Sequence, residues 1–326
     1  MNHLTRRHLL AGVPAFAFTA AAPSVLRAQG AYPPGDIHVL CAFPAGSGAD
    51  VLVRYFAEKL KPITGRTVLV ENKPGAGGNI ATEYLVRSKP DGLTMFIHAG
   101  NTLASNFHLI KNNPIDARKQ VQIAATINKQ AFMLVVDPKK PWKDVKELTV
   151  AMKEKGAKAT YAYAANSGKI MGAMYKARAG LEAEEVAYKM AQDSMNDMAS
   201  GAVDFACHDP QFGMQEFRKG TLRILAVASA ERLTAQPDFP TMTELGYPMD
   251  LLGWFSAMLP AGTPTPIVEQ VNAWINKVHE DPETAKFLIS FGGEPWVTKV
   301  GVGQQRMLKD IVDWEEYVRI AKLTPS

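Results

Sequence analysis

The sequence predicts an α/β fold built as two βα-rich halves and a helical tail. Two observations predict it. Apolar runs of strand length alternate with segments of helical period, and the alternation occurs in two blocks. After "GWFSAML" (253–259) only helical periodicity remains.

The first block is a βαβαβ opening. Strands are expected at 37–43, 67–72 and 93–99, with helices at 50–65 and 79–88. Leu52, Phe56 and Leu60 recur at four-residue spacing, and Gly65 supplies a helix stop. That order favours a parallel, doubly wound sheet. The second block repeats the grammar. Strands are expected at 131–137, 159–164, 185–189, 203–208 and 222–229, with helices at 142–155, 168–178, 192–201 and 211–219. Helices at 265–280, 282–292 and 303–322 form the tail.

The chain of 326 residues is 47% hydrophobic, enough for a sizeable core and long for one simple domain. Its net charge is +4, and Lys and Arg are scattered, so nucleic acid is not an expected partner. Two cysteines, Cys41 and Cys207, make neither a CxxC nor a zinc spacing and read as small buried residues. No metal or organic cofactor is implied. The start, "TRRHLLAGVPAFAFTAAAPSVLRAQG", pairs Arg6-Arg7 with a modest apolar stretch. It reads as a twin-arginine signal over 1–28, too weakly apolar to span a bilayer, which places the mature chain in the periplasm.

Two glycine-rich loops follow the first two strands, "FPAGSGAD" (43–50) and "PGAGGN" (74–79), and each opens a helix. In open α/β sheets ligands bind at the carboxyl ends of strands. A helix N-terminus offers unpaired N–H donors and partial positive charge, so it attracts anions. Glycine lets the backbone approach the ligand. The plainer reading is two tight turns capped by Asp50 and Asn79. Neither loop meets the P-loop spacing, and the dinucleotide spacing fails where Ile80 stands in place of a third glycine. A small carboxylate fits two short loops better than a pyrophosphate.

"AFPAGSGADVLVRYFAEKL" and "VLVENKPGAGGNIATEYLVRSKPDGLTMFI" resemble the substrate-binding receptors of tripartite tricarboxylate transporters, the Bug-type receptors. The resemblance continues through "VAYK", "DMASGAVDFAC" and "GWFSAMLPAGTPTPIVEQVNAWINKV" and covers the whole mature chain. It implies a two-lobed type II periplasmic binding protein that closes on a carboxylate. Lobe one is expected over 29–134 and 228–326, and lobe two over 135–227, with a hinge near Leu134–Val136 and Ala226–Ala228. It also implies a carboxylate pincer formed by Ala45, Gly46, Ser47, Gly48, Ala49 and Asp50 with Gly75, Ala76, Gly77, Gly78 and Asn79.

"HAGNTLA" matches a third loop and offers Asn101 and Thr102 as side-chain contacts. "YAYAANSGKIMGAMY" matches the second-lobe loop, here Asn166, Ser167, Gly168 and Lys169. "VDFACHDPQ" puts His208 and Asp209 at a strand end that meets the ligand in the family. Lys169 and His208 are expected to pair a second negative group; their plainer readings are a solvated helix-start lysine and a strand-end histidine. Trp254 and Phe255 read as core, and Phe43 and Tyr163 as partners for an aromatic ligand.

No nucleophile elbow, HExxH or clustered His/Asp/Glu set supports an enzyme. The expected function is a monomeric solute receptor for a di-, tri- or aromatic carboxylate. It would serve the permease subunits of a tripartite transporter, or alternatively a membrane sensor kinase.

Overall fold

The structure, a computed structural model, describes residues 32–325. The expected signal segment lies outside the described residues. Along the chain, β1 (Ile37–Cys41), α1 (Gly48–Thr64), β2 (Val68–Asn72), α2 (Asn79–Arg87) and β3 (Thr94–Ala99) come first. They are followed by α3 (Gly100–Leu109), α4 (Ala117–Gln120), β4 (Val121–Ala131), β5 (Met133–Val136), α5 (Val145–Lys155) and β6 (Thr160–Tyr163). Then come α6 (Asn166–Ala179), β7 (Glu184–Ala187), α7 (Asp193–Ser200), β8 (Phe205–His208), α8 (Pro210–Lys219) and β9 (Arg223–Val227). The chain ends with β10 (Leu252–Pro260), α9 (Thr265–His279), α10 (Pro282–Ser290), β11 (Gly293–Pro295) and α11 (Val302–Ile320).

The strands form two sheets flanked by helices. One has six strands in the order β11-β4-β10-β3-β1-β2; the other has five in the order β7-β6-β8-β5-β9. Each carries a parallel part, β2-β1-β3 and β7-β6-β8, as the βα alternation predicts. The sheets as wholes are mixed, which corrects the parallel expectation. Strand β10 runs antiparallel to β3 and β4, and β5 runs antiparallel to β8 and β9. These strands connect the sheets. β4 and β5 are separated by Phe132 alone, and the chain returns between β9 and β10.

Helix α1 shows why the first loop sits where it does. Leu52, Val53, Phe56, Ala57 and Leu60 bury one face. Ser47 caps it by accepting from the Asp50 N–H, and Gly65, at φ 65°, ends it by donating to the Lys61 carbonyl. Four elements escaped the sequence reading, one of them the single-turn helix α4. Strand β4, "VQIAATINKQA", lies inside its sheet and is buried along most of its length, so it shows no alternation. Helix α3 read as a loop because the apolar residues of "GNTLASNFHL" form only a weak helical stripe and no side chain caps it. Strand β11 has only three residues.

The tail helix α11 rests against α3, α6 and β4, and so touches elements of both halves. Its pin is polar. Trp254, fully buried as expected, donates Nε1–H to Asp310 at 2.7 Å, and Arg306 reaches Asp310 and Asp250 at 2.7 and 2.9 Å. Burial raises the Asp310 carboxyl to about 6, against the pull of Arg306 and the Trp254 N–H. The same indole covers Gly100, where an added Cβ would lie 2.2 Å from the ring. Gly100→Ala is therefore expected to cost about 1–3 kcal/mol of overpacking, read as a lower urea midpoint with unchanged slope.

Candidate carboxylate-binding cleft

The first loop is built around a buried carboxylate. Asp50 accepts from the Gly46 N–H at 2.8 Å, Arg54 Nε at 2.9 Å and Asn72 Nδ2 at 2.7 Å. Burial pushes this carboxyl up, but the bonds from Arg54, Asn72 and Gly46 outweigh it and hold it at about 2. Asp50 and the Gly46 N–H are thus used inside the protein, shaping the loop. The Ser47 N–H donates to the Pro44 carbonyl at 3.2 Å. The donors this arrangement presents are those of Gly48 and Ala49, at the first turn of α1.

The second loop depends on positive φ. Gly75, Ala76, Gly77 and Gly78 have φ of 126°, 45°, 58° and 89°. Such a run turns successive N–H groups toward one side, a concavity suited to anions. The Gly78 N–H closes the turn onto the Gly75 carbonyl at 2.9 Å, and Asn106 Nδ2 holds the Gly77 carbonyl at 2.8 Å. Neither expected cap serves as one: Ser47 caps α1, and Gly78 precedes α2 without a side-chain bond. Asn79 instead bonds Asn106 and Asn113. Beneath the loop lies His98, buried, neutral and stacked on Phe96 at 4.8 Å; burial lowers it to about 3.

Two further helices begin here without a capping side chain, α3 at Gly100 and α6 at Asn166. Their first N–H groups are unpaired within the helix and carry its positive end. A cavity of about 220 Å³ has Phe43, Gly48, Ala49, Asn101, Thr102, Ser167, Asp209 and Gln211 in its wall. A second, of about 460 Å³, is bounded by Ala76, Gly77, Asn101, Thr102, Ser105, Asn106, Asn166, Ser167 and Trp314. Asn101, Thr102 and Ser167 belong to both. The two hollows form one cleft between elements of the two sheets. A larger groove of about 620 Å³ beside α2, walled by Glu83, Tyr84 and Arg87, gathers no such helix ends.

The structure gathers Phe43, Gly48, Ala49, Ala76, Gly77, Asn101, Thr102, Asn166, Ser167 and Asp209 at this cleft. Ala45, Gly46, Ser47, Asp50, Gly75, Gly78, Asn79 and Gly168 do not line it. Gly168 serves packing, since a Cβ there would lie 2.4 Å from the Cys207 carbonyl oxygen. Lys169 and His208 are also outside the walls of both cavities. Lys169 Nζ binds Glu185 at 2.9 Å, and that hydrogen bond raises its pKa. His208 is buried beside Ser194 Oγ, 3.2 Å away, and against Phe212; burial lowers it to about 4 and leaves it uncharged.

Other lining residues were missed or placed in the core. Phe255 is buried, as expected of a core residue, and also lines the smaller cavity, together with Gln130, Phe132, Gln211 and Phe291. Tyr163 does not line it. Gln130 and Phe132 flank the passage from β4 to β5, a place visible only once β4 is known. Gln211 lies against Gly48, leaving no room for a Cβ there. Cys41 and Cys207 are buried free thiols, as expected.

Among the described residues no helix is long and apolar enough to cross a membrane, and no group of three or more His, Cys, Asp or Glu could hold a metal. Residues 52–319 match the tripartite tricarboxylate transporter family receptor. The chain is 27% identical to BugT of Bordetella pertussis over 95% of this chain and 96% of that one. Among solved structures it is similar to R. palustris Rpa4515 with adipate: 25% identity, 90% of this chain, 100% of that chain, TM-score 0.76. It is also similar to the periplasmic binding protein BugD: 26% identity, 90% and 100% coverage, TM-score 0.72. The resemblance read in the sequence is borne out, and the chain belongs to the tripartite tricarboxylate transporter family receptors, which are periplasmic solute-binding proteins and not enzymes.

Proposed function

We propose that the chain captures an organic carboxylate in this cleft and delivers it to the membrane subunits of a tripartite transporter. One observation carries the reading: residues from the first turns of α1, α3 and α6 and from the second loop line two adjoining cavities that share Asn101, Thr102 and Ser167. Main-chain donors fixed by helices hold an oxyanion without reorganising. The adipate bound by Rpa4515 supports a carboxylate as the ligand class.

The proposal includes export through the Arg6-Arg7 signal and action as a monomer. It also includes two lobes, each built on one sheet, that close over the ligand. The bend belongs at Phe132 and Ala228, where the Ala228 N–H donates to the Phe132 carbonyl at 2.8 Å. Leu134–Val136, expected as hinge, lies within β5, which is paired on both sides, whereas Phe132 lies between strands. Closure must be driven by contacts made only in the closed state.

A thermal-shift screen of mono-, di- and tricarboxylates tests the function. A ligand at a hundred times its Kd adds about 2.7 kcal/mol of stability. A carboxylate is expected to raise the melting temperature; a shift by nucleotides or sugars alone would overturn the reading.

A further inference from the structure

Gly48 is a glycine that its own backbone does not require. Gly46, two residues before it, has φ 81°, but Gly48 is the first residue of α1 and its φ is not positive. Glycine weakens a helix relative to alanine. The reason for it lies across the cleft. An added Cβ would lie 2.0 Å from Gln211 Nε2, 2.4 Å from Oε1 and 2.6 Å from Cδ. Gln211 belongs to α8, which packs on β5 and β9 of the five-stranded sheet. Its amide therefore reaches from one half of the molecule onto the first turn of a helix in the other.

The seating of α8 holds it there. Arg218 donates to the Ser290 and Ile289 carbonyls, at the end of α10, at 3.0 and 3.1 Å. A Cβ on Gly292 would lie 2.4 Å from the Pro210 carbonyl oxygen. Gly48, Ala49 and Gln211 line the same cavity, and among the described residues the Gln211 amide takes no hydrogen-bond partner. Asp209 beside it is turned to its own helix. The Phe212 N–H donates to its carboxylate at 3.0 Å, and the N–H groups of Gln211 and Asp209 act on the same carboxyl. The polar group that α8 brings to the first loop is thus a neutral amide.

We infer that Gln211 completes the carboxylate grip: its Nε2–H donates to the carboxylate held on the Gly48 and Ala49 N–H groups, and Gly48 is a glycine to admit it. This rests on the reading of the helix ends as the carboxylate grip. An amide donor satisfies the anion without burying a second charge. Because it comes from α8, it also ties binding to the approach of the two halves.

Calorimetry on the mature chain tests this with adipate, citrate and benzoate, using whichever binds tightest. Gln211→Met keeps the length of the side chain and removes its donor. It is expected to weaken binding by about tenfold or more, the size of one hydrogen bond to a charged group. Gln211→Glu, which sets a like charge beside the carboxylate, is expected to weaken it further. Gly48→Ala displaces the amide and should weaken binding similarly, yet should cost little more in Gln211→Ala, because both changes remove one contact. Ligand-free melting temperatures check that each variant folds. Wild-type affinity in folded Gln211→Met overturns the inference and leaves the carboxylate function intact. Additive losses in Gly48→Ala with Gln211→Ala overturn it as well. If none of the three carboxylates binds the unaltered chain, both readings fall.

Discussion

Gly77→Val is expected to weaken carboxylate binding by about a hundredfold or more while the chain still folds. Gly77 sits at φ 58° and ψ 31°, a left-handed conformation that a β-branched residue adopts only with strain of about 1–3 kcal/mol. Its Cβ would lie 3.1 Å from Asn106 Oδ1, on the side chain whose amide holds the Gly77 carbonyl. Valine therefore disturbs both the backbone approach and the clamp on the loop. The neighbouring glycine differs. A Cβ on Gly78 would lie 2.5 Å from His98 Nε2, on a buried ring stacked against Phe96. Gly78→Val should lose stability as well as binding. The sequence alone made these glycines equivalent; packing separates them. Calorimetry with the carboxylate found by the thermal screen, alongside urea unfolding, reads both effects. Retained affinity in folded Gly77→Val would sink the pincer.

Asp50→Ala is expected to cost about 3 kcal/mol and to loosen the first loop, with affinity falling about tenfold or more. The side chain is 2% exposed, and removing it strands the Gly46 N–H and leaves Asn72 Nδ2 with the Phe43 carbonyl alone. Its pKa also fixes a pH signature. The folded value of about 2 is below the ordinary 3.8, so the ionised form is the one stabilised by folding. That stability, at most about 2 kcal/mol, is complete above pH ~4 and is lost as pH falls through ~2. In Asp50→Asn the melting temperature between those pH values should fall less steeply. Parallel acid limbs in the two proteins would show that Asp50 is not the group responsible.

The element order was largely legible because α1, α2 and the flanking strands carry strong local periodicity and clear stops such as Gly65 and Gly220. Strand β4 was not, because a strand inside a sheet has no solvent face to alternate with. Missing β4 also hid the passage at Phe132, and with it the cleft positions of Gln130 and Phe132. The two glycine loops were legible because their unusual backbone needs unusual residues. The partners of Lys169 and His208 were not, because each depends on an element distant in the fold: Glu185 on β7 for the lysine, and Ser194 on α7 for the histidine.

By itself the sequence determined the α/β halves, the paired glycine loops and the family resemblance, since these rest on periodicity and on backbone conformations only glycine accepts readily. Only the tertiary structure decided which loop atoms face the cleft. Asp50 and the Gly46 N–H turn inward, whereas Gly48, Ala49 and Gly77 border it. It also decided the sign of the cleft's charge. A side chain's partner is set by what folding brings beside it, so Lys169 is neutralised by Glu185, and Asp209 is the charged group left in the wall.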